Sequence, residues 1–544
     1  MRGGLFFACA ALAAFSAGAA RTGVTVVGSG WDLLDATTED VWRNREKFAA
    51  TGLDGILLSV DRVSADGVRT NGRRLLAPEE WKEDEFRISR AQIAECVRCA
   101  GLRESMALAF LIPPKRLAWT DDEAWRIAAN NAGVLARVAK ASGLKGLTLD
   151  HEDYSKQRQF RHKPSDPPLA ETRRLARERG RQFFGALVRG FPDAKLLFYW
   201  MFTEWRDVVR AQDVAAAGET FKGGDLWPAF LNGLLDVAPD TVKYIDGNET
   251  TGYKTDVRKA AYREGAYETL RDVLPLVAPE NRDAYVRRVS VGFGIYLDSY
   301  TFPEDNWWAF PALGGSRAAS FRQNAIAASE VADDVIWVYG ERGAWVDWDR
   351  KHTPKLNRPT WESQLPGLAR AIRLASGRLS AARKMAAEGA MTNLVTDVES
   401  TDGKLPKAFS TYTDEKPVPA DMFAWDMAEG ASRPGCLKLI GKGSFLAYVT
   451  GLRPGEIIYV RLKAKARAPK ATLGWRKGEK WDWSLSKPIG SLLLTAAQGS
   501  DPSSWRTFEG VFVVPDGVDG AGVGMSNEIP SGEPVFFDDV EVFR

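Results

Sequence analysis

The 544-residue sequence predicts a (β/α)8, or TIM, barrel followed by an all-β, jelly-roll-like sandwich. Three observations predict this architecture. Short apolar runs alternate with helical stretches eight times over about 350 residues, the rhythm of parallel strands joined by helical crossovers. Most of these runs end on acids or aromatics. Beyond about residue 390, Gly, Pro and turn pairs punctuate short alternating runs, the pattern of an antiparallel sandwich. The barrel is expected over 21–390 and the sandwich over 391–544.

Val24–Val27 reads as the first strand, followed by a helix in D-V-W-R-N-R-E-K-F-A-A. Gly55–Val60 is the second strand; a polar insertion and a helix from Ser89 to Ala100 follow. Met106–Ile112 is the third, stopped by Pro113-Pro114, with a helix from Asp121 to Ala141. The fourth strand lies in G-L-K-G-L-T-L-D-H-E-D-Y, residues 143–154, and precedes the helix Glu171–Arg189. Leu196–Met201 is the fifth, with a helix at Leu226–Val237, and Val242–Ile245 is the sixth. Val289–Tyr296 is the seventh; Val335–Tyr339 is the eighth, with Trp361–Ala375 as its helix. An open doubly wound sheet is the competitor, but Gly28-Ser29-Gly30-Trp31 is too short a match to indicate a dinucleotide. In the second region the clearest runs are Ile457–Ala464, Thr507–Val514 and Pro534–Phe543.

Composition bounds the chemistry. With 45% hydrophobic and 26% charged residues, the chain can bury large cores. Lys+Arg 73 against Asp+Glu 71 leaves a net charge of +2, with no footprint for nucleic acid or an anionic membrane. Residues 1–20 read as a secretory signal: Arg2, an apolar stretch from Leu5 to Phe15, then Ala17-Gly18-Ala19. A secreted, periplasmic or cell-surface location is therefore expected, without a membrane span. Cys96 and Cys99 sit at helical spacing with no second pair to complete a zinc site, and free thiols are expected. The only histidines are His151, His162 and His352, too few for a His-built metal site, and no metal or organic cofactor is indicated. The 19 tryptophans suit either core packing or the stacking of sugar rings on indole faces.

Catalytic groups of such a barrel come from the C-terminal ends of its strands. The polar residues there are Asp61, Asp150, Glu152, Tyr199, Asp246, Glu249, Asp298, Tyr300 and Glu341. Trp31, Trp200, Trp205, Trp307, Trp308, Trp337 and Trp345 accompany them. Asp150 and Glu152 stand out. Alternation along a strand puts both carboxyls on one side and His151 on the other, as a packing residue. Each acid raises the other's pKa, so one can keep its proton near neutral pH. A solvated loop with Asp as a helix cap is the competing reading.

Carboxylates among aromatic rings are what glycosidic bond cleavage requires. L-K-G-L-T-L-D-H-E resembles the fourth-strand signature of the chitinase-type family-eighteen glycoside hydrolases, D-G-x-D-x-D-x-E, at Gly146, Asp150 and Glu152. The resemblance implies Glu152 as acid/base and Asp150 as the residue orienting the substrate's N-acetyl group. Lys145 and Thr148 stand where that family has its first two acids, which alters or removes the proton relay beneath Asp150. A second route needs no acetamido sugar. Glu152 then works with Glu341, or with Asp246 or Glu249, and the carboxyl separation decides between retention and inversion. Asp246-Gly-Asn also reads as a turn, and Asp298 as a cap. Tyr199, Trp200, Asp246, Glu249, Asp298, Trp337 and Trp31 are the candidate substrate-binding residues.

The later region resembles the jelly-roll carbohydrate-binding modules of secreted polysaccharide enzymes, through Asn393-Leu394, Leu452–Tyr459, Trp505 with Phe508, Phe512–Pro515 and Phe536–Val542. Trp475, Trp481 and Trp483 are its candidate sugar platform, with core packing as the alternative. The expected function is hydrolysis of a glycan, the expected partner. Rivals are an inactive barrel that binds glycans and, more weakly, a polysaccharide lyase. The sequence leaves sugar identity and oligomeric state open.

Overall fold

The computed structural model describes residues 24–153, 157–205, 226–254, 259–349, 356–466, 469–478, 480–489, 503–527 and 532–544. The expected leader at 1–20, Tyr154 and the side chain of Trp483 lie outside the described residues. The chain divides into two compact units, one of Met1–Asp298, Ala325–Gln364 and Ala375–Gly377, the other of Ser299–Asn324, Leu365–Leu374 and Arg378–Arg544.

The first sheet is parallel and barrel-like. Its strands are β1 (Thr25–Gly28), β2 (Gly55–Leu58), β5 (Met106–Phe110), β6 (Gly146–Asp150), β7 (Lys195–Phe198), β8 (Lys243–Asp246), β9 (Val289–Val291), β10 (Phe293–Tyr296) and β11 (Val335–Tyr339). The hydrogen-bonded order is β10-β11-β1-β2-β5-β6-β7-β8-β9. The two ends of that order are consecutive segments of the chain, separated by Gly292 alone. The expected seventh strand is thus two segments. At the break the Gly292 amide still pairs with β8, donating to the Asp246 carbonyl at 2.8 Å, while Phe293 onward pairs with β11. The polar insertion after β2 contains a hairpin, β3 (Asp61–Val63) with β4 (Arg69–Asn71), that short polar segments did not announce.

The strands are apolar on both faces, as helix-covered parallel strands must be. Residues 55–58 of β2 and 146–149 of β6 are buried throughout. Gly146 is dictated by its neighbour: a Cβ there would lie 1.8 Å from the Lys195 carbonyl oxygen. The helix Asp122–Ala141 starts where Asp121 accepts from the Ala124 amide at 3.0 Å, satisfying an otherwise orphaned donor. The helices Leu169–Gly190 and Trp227–Val237 also match expectation within two residues at each end. Three helices differ. D-V-W-R-N-R-E-K-F-A-A divides into an α-helix at Thr38–Arg43 and a 3-10 turn at Arg45–Ala50. The helix expected from Ser89 to Ala100 covers Arg87–Cys96 and stops four residues early. Trp361–Ala375 is broken at Pro366-Gly367 into Trp361–Gln364 and Leu368–Ala387, because proline's missing N–H cannot continue the ladder.

The second region forms two five-stranded antiparallel sheets. One contains β12 (Phe409–Tyr412), β15 (Ser444–Thr450), β17 (Pro469–Lys477), β18 (Lys480–Pro488) and β20 (Gly520–Asn527). The other contains β13 (Phe423–Asp426), β14 (Cys436–Leu439), β16 (Ile457–Lys465), β19 (Arg506–Val513) and β21 (Val535–Phe543). They share one apolar core that includes Phe445, Leu462, Leu473, Trp475 and Phe537. Trp475 is therefore a core residue, whereas Trp481 is half-buried and rests on Tyr448 with ring centroids 4.4 Å apart. Cys96, Cys99 and Cys436 are free thiols.

Candidate active site at the strand ends

Register sets Asp150 of β6 one residue beyond the level of Asp246 on β8, with β7 between them. Asp150 pairs with Phe110 of β5, Leu149 with Phe198 of β7, and Phe198 with Asp246 of β8. The apolar ladder of β6 stops at Asp150, whose Oδ1 accepts from the Glu152 amide at 2.8 Å. This bond folds the chain around the Asp150 carboxyl, and both Asp150 and Glu152 are half-buried. Burial pushes the Asp150 carboxyl up to about 7; the bond from the Glu152 amide opposes the rise and the Glu152 charge adds to it. Asp150 thus keeps its proton into the neutral range and can donate a hydrogen bond there. His151, just past the end of β6, is a packing residue as expected, with 1% of its surface exposed.

Beside these acids stands an aromatic wall. Tyr199, just past β7, stacks on Trp337 of β11 with centroids 4.2 Å apart and planes at 17°. Its hydroxyl lies 3.5 Å from Ser29 Oγ. Burial raises the Tyr199 phenol, and the charges of Asp150, Glu249 and Glu152 raise it further, so these acids share one neighbourhood. Trp337 is fully buried and donates from Nε1 to the Gly247 carbonyl at 3.0 Å. Gly294 makes room for it: a Cβ there would come within 2.6 Å of the indole. Trp200, also buried, donates to Thr250 Oγ1 at 3.2 Å and so ties β7 to the helix Glu249–Lys254. Tyr253 of that helix lies 5.6 Å from Trp337, and its phenol is raised by burial, then by Glu249 and, among others, Glu152.

Glu341 marks the end of β11. Its amide donates to Asp298 Oδ2 at 2.7 Å, and Tyr339 donates from its hydroxyl to Glu341 Oε1 at 3.3 Å. Burial and the Asp298 charge hold the Glu341 carboxyl above its ordinary value. Tyr296 and Tyr339 are direct partners across β10 and β11, with rings 5.9 Å apart, and Tyr253 lies 5.2 Å from Tyr296. The tyrosines thus link the Glu152–Glu249 group to Glu341.

Three expected contact residues are fully buried instead. Asp298 has no accessible surface, and its oxygens accept from the amides of Glu341 and Arg342, as a cap does. Asp246 is likewise fully buried, and accepts from Thr203 Oγ1 at 2.8 Å and from the Asn248 amide at 3.3 Å, the expected turn. Burial pushes the Asp246 carboxyl up to about 6. Trp337 too lies inside, reaching the surroundings of the acids through Tyr199. Trp31 is 45% exposed with the Arg358 guanidinium 6.0 Å from its ring centre. Asp61 is tied to the Thr38 amide and Arg69, and Trp345 donates to the Ser29 carbonyl. Tyr300 is buried and accepts from Asn324 Nδ2 at 2.6 Å.

Tyr253, Tyr296, Tyr339 and Ser29 were missed. The motifs I-Y-L-D and W-V-Y-G-E carried a signal, a tyrosine just before a strand-end acid; Tyr253 carried none, because only the fold returns its helix to the strand ends. Among the described residues no group of three or more His, Cys, Asp or Glu is placed to hold a metal ion, and no helix is long and apolar enough to cross a membrane.

No protein family and no curated protein matches the sequence. Solved structures similar to parts of it include a family 16 carbohydrate-binding module (14% identity over 28% of this chain and 99% of that one, TM-score 0.20). A second is TmCBM61 in complex with β-1,4-galactotriose, with the same identity, coverage and TM-score. A third is the CBM22-1–GH10 portion of Clostridium thermocellum xylanase 10B complexed with xylohexaose (13% identity, 28% of each chain, TM-score 0.21). Likeness at this level carries no argument about this chain's fold or activity.

Proposed function

We propose that this chain is a secreted glycoside hydrolase, built on a (β/α)8 barrel with a jelly-roll-like, carbohydrate-binding sandwich. Glu152 is the general acid/base, Asp150 its protonated partner and Glu341 the leading second carboxylate. The observation that carries this reading is the Asp150–Glu152 turn: a carboxyl raised to about 7 and, two residues on, an acid beside Tyr199 and Tyr253. In such a pair the neutral Asp150 holds or orients the substrate, and Glu152, in its protonated form, gives its proton to the leaving oxygen and takes one back from the attacking water. Aromatic faces suit the apolar C–H faces of a sugar ring, and tyrosine hydroxyls suit its rim of hydroxyls.

A binding-only barrel is the second reading. Thr148 is buried with its hydroxyl 3.9 Å from Met106 Sδ, and Lys145 points to Glu104 at 3.8 Å, so β6 itself supplies no acid beneath Asp150. The test is sugar release from mucin and from plant and algal glycans by the full chain and by Glu152→Gln. Hydrolysis predicts release by the native chain and a loss on the order of 10²–10⁴-fold in the variant. Retention of a glycan without release, equal in both, refutes hydrolysis and selects the binding reading.

A further inference from the structure

We propose that His151, acting with Glu204, is the positioning residue of this site: it holds the Asp150–Glu152 turn in place from behind the strand. The inference rests on the hydrolase reading for its kinetic consequence, though not for its structural one. His151 sits between the two acids in sequence, but its ring points into a box of other elements. It lies face to face on Trp227 with centroids 3.9 Å apart and planes at 8°. Trp205 is parallel to it at 6.4 Å, while Trp200 and Phe160 meet it edge-on at 6.0 Å and 6.5 Å. His151 Nε2 lies 3.6 Å from Glu204 Oε2.

These contacts come from the segment after β7, from the helix Trp227–Val237 and, through Phe160, from the chain between β6 and the helix Leu169–Gly190. The same segment reaches the other acids: Thr203 donates to Asp246, Trp200 to Thr250 beside Glu249, and Met201 accepts from Trp227 Nε1 at 3.0 Å. One segment therefore fixes the ends of β6 and β8 together. Consecutive residues share one backbone, so a ring gripped on four sides fixes the direction in which Asp150 and Glu152 leave the chain. A structural filler requires only the aromatic box. The carboxylate of Glu204, 3.6 Å from Nε2, adds direction, since its charge favours the ring rotation that turns a ring N–H toward it. Displacements of about 1 Å at a reacting group are enough to cost on the order of 10²-fold in rate.

The test uses His151→Phe, which keeps the stack and removes the imidazole beside Glu204, and Glu204→Gln, which keeps the shape and removes the charge. Both are made singly and together in the full chain. The expected result is a fall in kcat on the order of 10-fold in each single variant, with KM changed less than about two-fold and the double variant no worse than the singles. A second readout needs no turnover: the ¹³C titration of the Asp150 carboxyl, assigned by its loss in Asp150→Asn. Positioning predicts that both single variants move its midpoint, because the turn around that carboxyl loosens. Native kcat and an unmoved Asp150 titration in Glu204→Gln overturn the proposal. If the native chain releases no sugar, the hydrolase reading falls, and the carboxyl titration still decides the role of His151.

Discussion

Asp150→Asn removes a carboxyl whose proton the fold retains, and the consequence can be worked through in sign and size. The folded value is raised from 3.8 to about 7, chiefly by burial. Between those values the unfolded chain has released the proton and the folded chain still holds it. Stability therefore falls as pH rises, by about 1.4 kcal/mol per pH unit, and levels off once the folded carboxyl ionises. From pH 5 to pH 7 the loss is at most about 3 kcal/mol, because Asp150 keeps some contact with solvent. Asparagine keeps the shape and loses the titration. Asp32 and Asp246, both raised to about 6, titrate alike in the two proteins and cancel in the difference. The stability of Asp150→Asn relative to the native chain should thus climb by up to about 3 kcal/mol between pH 5 and pH 8. Urea unfolding followed by tryptophan fluorescence at each pH unit measures it. A difference flat across that range would mean that Asp150 is not held neutral, and the acid/base argument built on it would fail.

Other positions test the frame of the site. Gly294→Ala puts a methyl group against the Trp337 indole and should cost about 1–3 kcal/mol, with Tyr199 displaced; an unchanged urea midpoint would contradict the close approach. Asp298→Ala strips the acceptor from the Glu341 and Arg342 amides and should cost about 1–3 kcal/mol, while Asp298→Asn retains part of it; equal effects of the two would refute the capping role.

Much of this molecule was legible in local sequence. Parallel strands covered on both faces must be short apolar runs, and helices need caps; both are properties of a few neighbouring residues, so β6, β11 and the helix from Asp122 were readable. The Asp150–Glu152 pair was readable as acids where an apolar run stops, but β6 ends at Asp150, so a turn and not the alternation of a continuing strand sets its geometry. Breaks were not. The change of partner strand at Gly292 depends on where β8 and β11 lie, and the early end of the helix at Cys96 has no proline or glycine to mark it.

The sequence by itself determined which chemistry is present: acids and aromatics where apolar runs stop, no charge excess, and two regions of different periodicity. Only the tertiary structure decided their roles. It put Asp246, Asp298 and Trp337 behind the surface, recruited Tyr253 from a helix and Tyr296 and Tyr339 from adjacent strands, and seated Trp475 in a core while leaving Trp481 half-buried. The physical reason is that burial, and with it the proton affinity of a carboxyl, is set by residues far away in the chain. A strand's pattern says which side a group leaves from, and the packing around it says whether that side meets water.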